Sequence, residues 1–141
     1  MNQIAALAFA LRELKSEEYT NYARQIVKNA QTFCEELKSR GFTVVSGTTE
    51  NHMFLWNVRD LGLSGNKVEK ILEKVYIFAN KNSIQGDKSP MNPGAVRIGT
   101  PAITARGMKE EQVKIIVGFF AKAIEIAKSI QETKNPKDLK D

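Results

Sequence analysis

Arg97 is the residue of this chain best placed for chemistry. It stands in the run Ala95-Val96-Arg97-Ile98-Gly99, where period-two alternation turns Val96 and Ile98 toward a core and leaves Arg97 on the opposite face. A guanidinium held there, beside a long polar loop, can meet a carboxylate through two parallel hydrogen bonds. The alternative is a surface ion pair of small energetic consequence. His52 follows Asn51 at a strand entrance, with no acid or nucleophile at a spacing that would make it a catalytic base. A packing or hydrogen-bonding histidine is the expectation. Cys34 falls inside an apolar helical pattern with no histidine near it, which reads as a small buried hydrophobe rather than a nucleophile. One cysteine and one histidine cannot build a closed zinc site. The sequence has no G-x-S-x-G, no P-loop lysine motif and no dinucleotide fingerprint.

Gly62-Leu63-Ser64-Gly65 has the G-x-x-G spelling of loops that grip an RNA backbone. Strand-like residues precede it and its middle positions carry no charge, so no nucleic-acid partner is expected. The basic excess by itself fits an anionic ligand of any kind, carboxylate, phosphate or nucleic acid. Of a net charge of +5, all lies in residues 59–109, with nine basic groups against four acidic. A local positive field suits a carboxylate or phosphate, though a solvated lysine-rich face has the same composition.

These side chains need elements to hold them. Ile4–Leu11 is apolar on every side of a helix, a pattern normally buried all round, but 141 residues offer little to bury it, so it is expected to seal an oligomer or to pack on a larger protein. Ser16 with Glu17 and Glu18 reads as an N-cap and acidic first turn. Tyr19, Tyr22, Ile26, Ala30, Phe33 and Leu37 then mark one long amphipathic helix, stopped at Gly41. Phe42–Val45 and Met53–Val58 read as strands joined by a Gly/Thr turn. A helix over Asn66–Val75 buries Val68, Ile71, Leu72 and Val75, and a short strand is predicted at Tyr76–Ala79. Residues 80–95 form a long loop without periodicity, a kind of segment that is uncommon in compact domains unless functional. A strand at Ala95–Gly99 leads to a final helix over Lys109–Glu132, with Val113, Ile116, Val117, Phe120, Ile124 and Ala127 inward. The order predicts an α+β two-layer sandwich, helices on a small, mostly antiparallel sheet.

At 141 residues, 42% hydrophobic and 26% charged, the chain is of single-domain size and able to bury one core. Such a composition excludes collagen-like, low-complexity and disordered chains. Neither a signal peptide nor an apolar run long enough to span a membrane is present. The single cysteine points to a reducing compartment.

The stretch from Asn51 to Gly107 resembles the C-terminal region of serine hydroxymethyltransferase. The likeness rests on Asn51-His52, Leu55–Arg59, Leu61–Lys70 and Asn80-Lys81-Asn82-Ser83. It is strongest in Arg97-Ile98-Gly99-Thr100-Pro101-Ala102-Ile103-Thr104-Ala105-Arg106-Gly107, and the two preceding helices extend it over nearly the whole chain. The resemblance implies the small C-terminal domain of a fold type I, pyridoxal-phosphate-dependent transferase. Such enzymes move the hydroxymethyl carbon of serine to tetrahydrofolate, giving glycine and 5,10-methylenetetrahydrofolate, in one-carbon metabolism. It implies that Arg97 binds the substrate α-carboxylate, that Asn82 and Ser83 belong to the folate loop, and that Thr100 and Pro101 shape the site behind the arginine. Arg106 matches a family arginine with no role assigned to it.

The chain also departs from the family. The Thr-rich motif that ends in the cofactor lysine is absent, and the family's aspartate and histidine that hold the cofactor ring lie upstream of residue 1. Asn57 stands where the family usually has aspartate. Residues 1–15 are therefore expected to be the end of a missing large domain, 16–132 the small domain and 133–141 a polar tail. The 141 residues alone are expected to hold no covalent cofactor and to be inactive. Their expected partners are the large domain or a full-length subunit, in a homo-oligomer, with serine, glycine and tetrahydrofolate as ligands and no membrane. The alternative is a truncated, non-catalytic paralogue that pairs with a full-length subunit. The cytoplasm is the expected compartment, with an organellar form left open.

Overall fold

A computed structural model describes residues 1–133, with side chains to residue 130. The expected tail at 133–141 lies outside the described residues but for Thr133, the last residue of a helix. Helix α1 (Asn2–Glu13) is followed after one turn by α2 (Glu17–Ser39). Ser16 caps α2, its hydroxyl accepting the Tyr19 N–H at 3.1 Å, with Glu17 and Glu18 in the first turn against the helix dipole. The helix ends where Gly41 takes φ +79°, a left-handed conformation that residues with a Cβ adopt at a cost.

Four strands form one antiparallel sheet in the order β1-β2-β4-β3: β1 (Thr43–Val44), β2 (Met53–Asn57), β3 (Asn80–Asn82) and β4 (Ala95–Gly99). Between β2 and β3 lie a 3-10 turn, Arg59–Leu61, and helix α3 (Gly65–Lys74). After β4 come a short helix, α4 (Pro101–Ala105), and the long α5 (Glu110–Thr133). The α+β arrangement of helices on a small sheet is the one the sequence predicts, and every strand pair is antiparallel.

The core fills one side of the sheet. Phe54 and Trp56 of β2 and Val96 and Ile98 of β4 point into it, where they meet Phe33 and Leu37 of α2, Val68 and Leu72 of α3, and Val113, Val117 and Phe120 of α5. The rings interlock: Phe33 lies 5.2 Å from Phe54 and 5.3 Å from Phe120, and Trp56 lies 5.5 Å from Phe120, centroid to centroid. Such pairs add to area burial.

Three expectations are corrected. The strand predicted at Tyr76–Ala79 is instead the unwinding end of α3 and an exposed turn, with Tyr76 at φ +60°. The strand begins at Asn80, inside the stretch predicted as loop. Asn80, Lys81 and Asn82 pair with Arg97, Val96 and Ala95, and Glu69 of α3 pins this edge by accepting both the Lys81 N–H (3.0 Å) and its ammonium (3.2 Å). Val75, expected to face inward, is exposed. The apolar run at the N-terminus is helical as expected, and it stands without cover among the described residues: no residue of α1 is buried, and Ile4, Leu7, Phe9 and Leu11 are all more than half exposed.

Candidate functional site

Among the described residues, no helix is packed over Arg97 on the side of the sheet away from the core. Register places Leu55, Arg97 and Asn80 abreast across β2, β4 and β3. Alternation puts Asn82 on the same face as Asn80 and Arg97, roughly 7 Å farther along the strand. Arg97 is exposed while Val96 and Ile98, on either side of it, are buried, as the sequence pattern predicts. It enters no ion pair among the described residues, so the alternative of a surface ion pair is not what the structure shows. An open cleft of about 350 Å³ lies over it, lined by His52, Met53, Phe78, Ala79, Asn80, Arg97 and Gly99. His52, expected as a packing or hydrogen-bonding histidine, is exposed at the rim of this cleft, and its backbone carbonyl accepts the Thr100 N–H.

Thr100 and Pro101 sit directly behind the arginine strand. Thr100 is fully buried, its N–H donating to the His52 carbonyl at 3.0 Å and its hydroxyl to the Ile26 carbonyl at 2.8 Å. The turn is anchored further by a chain of hydrogen bonds that pattern reading missed. Thr104 Oγ1 donates to the Thr100 carbonyl at 2.8 Å, and buried Asn29 donates to Thr104 Oγ1 and the Met108 carbonyl, both at 2.9 Å. Gln25 joins Asn29 Oδ1 to Glu110, and the Tyr22 hydroxyl donates to the Pro101 carbonyl. The signal was present as polar residues 22, 25 and 29, spaced by three and four on the inward face of α2. Beside Lys28, whose ammonium it binds, the Glu110 carboxyl is held down at about 2.

Asn82 is half-buried and donates from Nδ2 to the Ser83 carbonyl at 2.8 Å, while Ser83 is exposed. Both stand at the opposite end of β3 and β4 from Thr100-Pro101, with Arg97 between them. The four flanking residues do not line the Arg97 cleft itself. Arg106 is exposed at the C-terminal cap of α4. Asn57 accepts the Arg59 N–H at 3.1 Å and donates to Asp60, both in the 3-10 turn that follows it. In Gly62-Leu63-Ser64-Gly65, Leu63 is buried and Ser64 caps α3. The N–H of Gly65 donates to the Pro93 carbonyl at 2.7 Å, and a Cβ there would stand 2.5 Å from the Ala95 carbonyl oxygen. Gly65 thus serves close packing of α3 on the loop before β4, while Gly62 takes φ +71° where the 3-10 turn ends. Cys34 is buried as expected, and burial pushes its thiol up to about 11.

The class the structure shows is a small α+β domain with one antiparallel sheet, on which Arg97 is exposed and enters no ion pair among the described residues. A family-wide sequence model described as serine hydroxymethyltransferase matches residues 1–120. The chain is 45% identical over 139 residues to the mitochondrial serine hydroxymethyltransferase of Candida glabrata, a match covering 97% of this chain and 29% of that protein. It is 48% identical over 135 residues to the cytosolic enzyme of Saccharomyces cerevisiae (96% and 29%) and 40% identical over 139 residues to serine hydroxymethyltransferase of Caenorhabditis briggsae (97% and 27%). The chain therefore belongs to the serine hydroxymethyltransferase family. It spans under a third of the length of these relatives, which include mitochondrial and cytosolic forms. No described helix is long and apolar enough to cross a membrane.

Proposed function

We propose that this chain is the C-terminal small domain of a serine hydroxymethyltransferase, with residues 16–132 as the domain and 1–15 as the end of a preceding large domain. Arg97 binds the α-carboxylate of serine or glycine, Asn82 and Ser83 hydrogen-bond the folate, and Thr100-Pro101 fix the turn behind the arginine. The reaction moves the hydroxymethyl carbon of serine to tetrahydrofolate, leaving glycine. Pyridoxal phosphate, when bound, supplies the electron sink. The observation that carries the reading is Arg97, exposed on a strand whose neighbours are buried and in no ion pair among the described residues.

The residues of the cleft do not fit that cofactor as a covalent ligand. None of those lining it is a lysine, and Lys81, on the adjoining strand, is held by Glu69 on the helix side of the sheet. The cofactor's attachment belongs to other parts of a full-length, oligomeric enzyme of the cytosol or an organelle, and the 141 residues alone have no transferase activity. A second reading, a truncated paralogue that pairs with a full-length subunit, draws on α1, whose apolar residues are exposed on all sides.

Glycine titrated into the isotope-labelled chain tests the assignment. One exposed charge-assisted contact contributes on the order of 1.5–3 kcal/mol before association costs, so binding is weak and the shifts centre on Arg97. Arg97→Ala should abolish them. Glycine binding that survives this substitution overturns the carboxylate role, whereas pairing with a full-length subunit should be indifferent to it.

A further inference from the structure

The loop between β3 and β4, residues 83–94, closes on a single carboxylate. Asp87 Oδ2 accepts the N–H of Ile84 at 2.8 Å and the N–H of Gly94 at 2.9 Å. One oxygen thus joins the first turn of the loop, next to Asn82-Ser83, to its last residue before the Arg97 strand. Asp87 Oδ1 faces Arg59 Nη1 at 3.4 Å, and Arg59 Nη2 donates to the Gln85 carbonyl at 3.1 Å. The Asp87 side chain is only 7% exposed, whereas Arg59 remains 40% exposed. The site is tight around it: a Cβ at Gly94 would stand 2.6 Å from Asp87 Oδ1 and from Arg59 Cδ. The Val58 N–H donates to the Gly94 carbonyl at 2.9 Å, which ties the same point to the end of β2.

We propose that Asp87, held by Arg59, is the positioning residue of the ligand-binding loop, fixing Asn82 and Ser83 relative to Arg97. A loop of this length closes at an entropic cost that rises with the number of free residues. Pinning residue 84 to residue 94 removes most of that freedom, and the β3–β4 pairing at Asn82 and Ala95 then ends in an ordered corner rather than a floppy arc. The two backbone hydrogen bonds also hold the Asp87 carboxyl below the usual carboxylate range, the Ile84 N–H foremost, with Arg59 adding to them. The ligand part of this role rests on the folate and carboxylate assignments above.

Amide hydrogen exchange in the 141-residue chain tests it. Asp87→Ala should speed exchange at Ile84 and Gly94 at least tenfold while Ile98, inside β4, changes less than twofold. Asp87→Asn keeps an acceptor oxygen and loses only the charge, so it should restore most of the protection. Unchanged exchange at Ile84 and Gly94 in Asp87→Ala overturns the clasp. Millimolar 5-formyltetrahydrofolate, used as the probe, should shift Asn82 and Ser83 in the wild type and in Asp87→Asn but not in Asp87→Ala. Equal shifts in all three overturn the positioning role. No shift in the wild type overturns the folate assignment and the ligand part of the role with it, while the exchange rates still decide the clasp.

Discussion

The two faces of β4 make opposite use of one short strand. On one side Val96 and Ile98 are locked among aromatic rings from α2, β2 and α5. On the other, Arg97 stands one residue away, exposed and in no ion pair among the described residues. The first face gains stability in proportion to what it excludes from water. The second buries Ala95 but gains nothing at Arg97, whose value lies in the rigidity it borrows from the first. A guanidinium on a loose loop would lose conformational entropy on meeting a carboxylate, whereas one on a strand whose neighbours are buried has lost most of its backbone freedom in folding.

That contrast can be broken from the core side with the largest effect. Phe33→Ala, which empties a ring site touching Phe54 and Phe120, should cost about 3–5 kcal/mol in urea unfolding. Asn29→Ala removes the donor of Thr104 and the Met108 carbonyl and should cost about 1–3 kcal/mol. It should also move the Thr100 amide resonance, because the hydrogen bonds run on to the turn behind Arg97. Loss of stability with no change at Thr100 would show that Asn29 does not support the turn, which the Ile26 carbonyl and the Tyr22 hydroxyl of α2 would then hold without it.

Acid offers a gentler probe. Glu110 is held at about 2, from 4.5, chiefly by the Lys28 ammonium and also by its own N–H and Gln25. A lowered carboxylate pKa stabilises the fold at pH above about 4.5, and the contribution fades as pH falls to about 2. Lys28 is well exposed, so solvent screening leaves about 0.5–1 kcal/mol. Unfolding midpoints of the wild type and Glu110→Gln should converge over that interval. The smallest effect belongs to the open face: Arg97→Ala should shift stability by less than about 0.5 kcal/mol, measured in the same urea titration. A large loss there would mean the arginine supports the fold.

What the sequence revealed divides along the same line. The core side was legible because burial imposes a period: α2, β2, β4 and α5 lie close to where apolar spacing puts them, and Arg97 was found because β4's alternation puts it on the face opposite Val96 and Ile98. Edge strand β3 escaped because Asn-Lys-Asn has poor strand propensity and exists through pairing with β4 and the grip of Glu69. The apolar run Tyr76–Ala79 imitated a strand while mostly facing water. Helix α4 carries its own start signal, proline at the first position, within a run first read for its resemblance. The Asp87 clasp joins residues 59, 84, 85, 87 and 94, and no local pattern announces a contact between Arg59 and a loop so far along the chain. His52 was misjudged because a strand entrance says nothing about which side of the rim a ring will take.

Cys34 gives the molecule an internal gauge of its own stability. The thiol is fully buried and pushed up to about 11 from 9.0, so in the closed fold near neutral pH it is both inaccessible and protonated. An alkylating reagent can reach it only when α2 lifts off the sheet. Where closing is faster than alkylation, the labelling rate divided by that of an unfolded cysteine equals the fraction of molecules open at any instant. With one cysteine in the chain, a single mass increment counts each opening without any added probe.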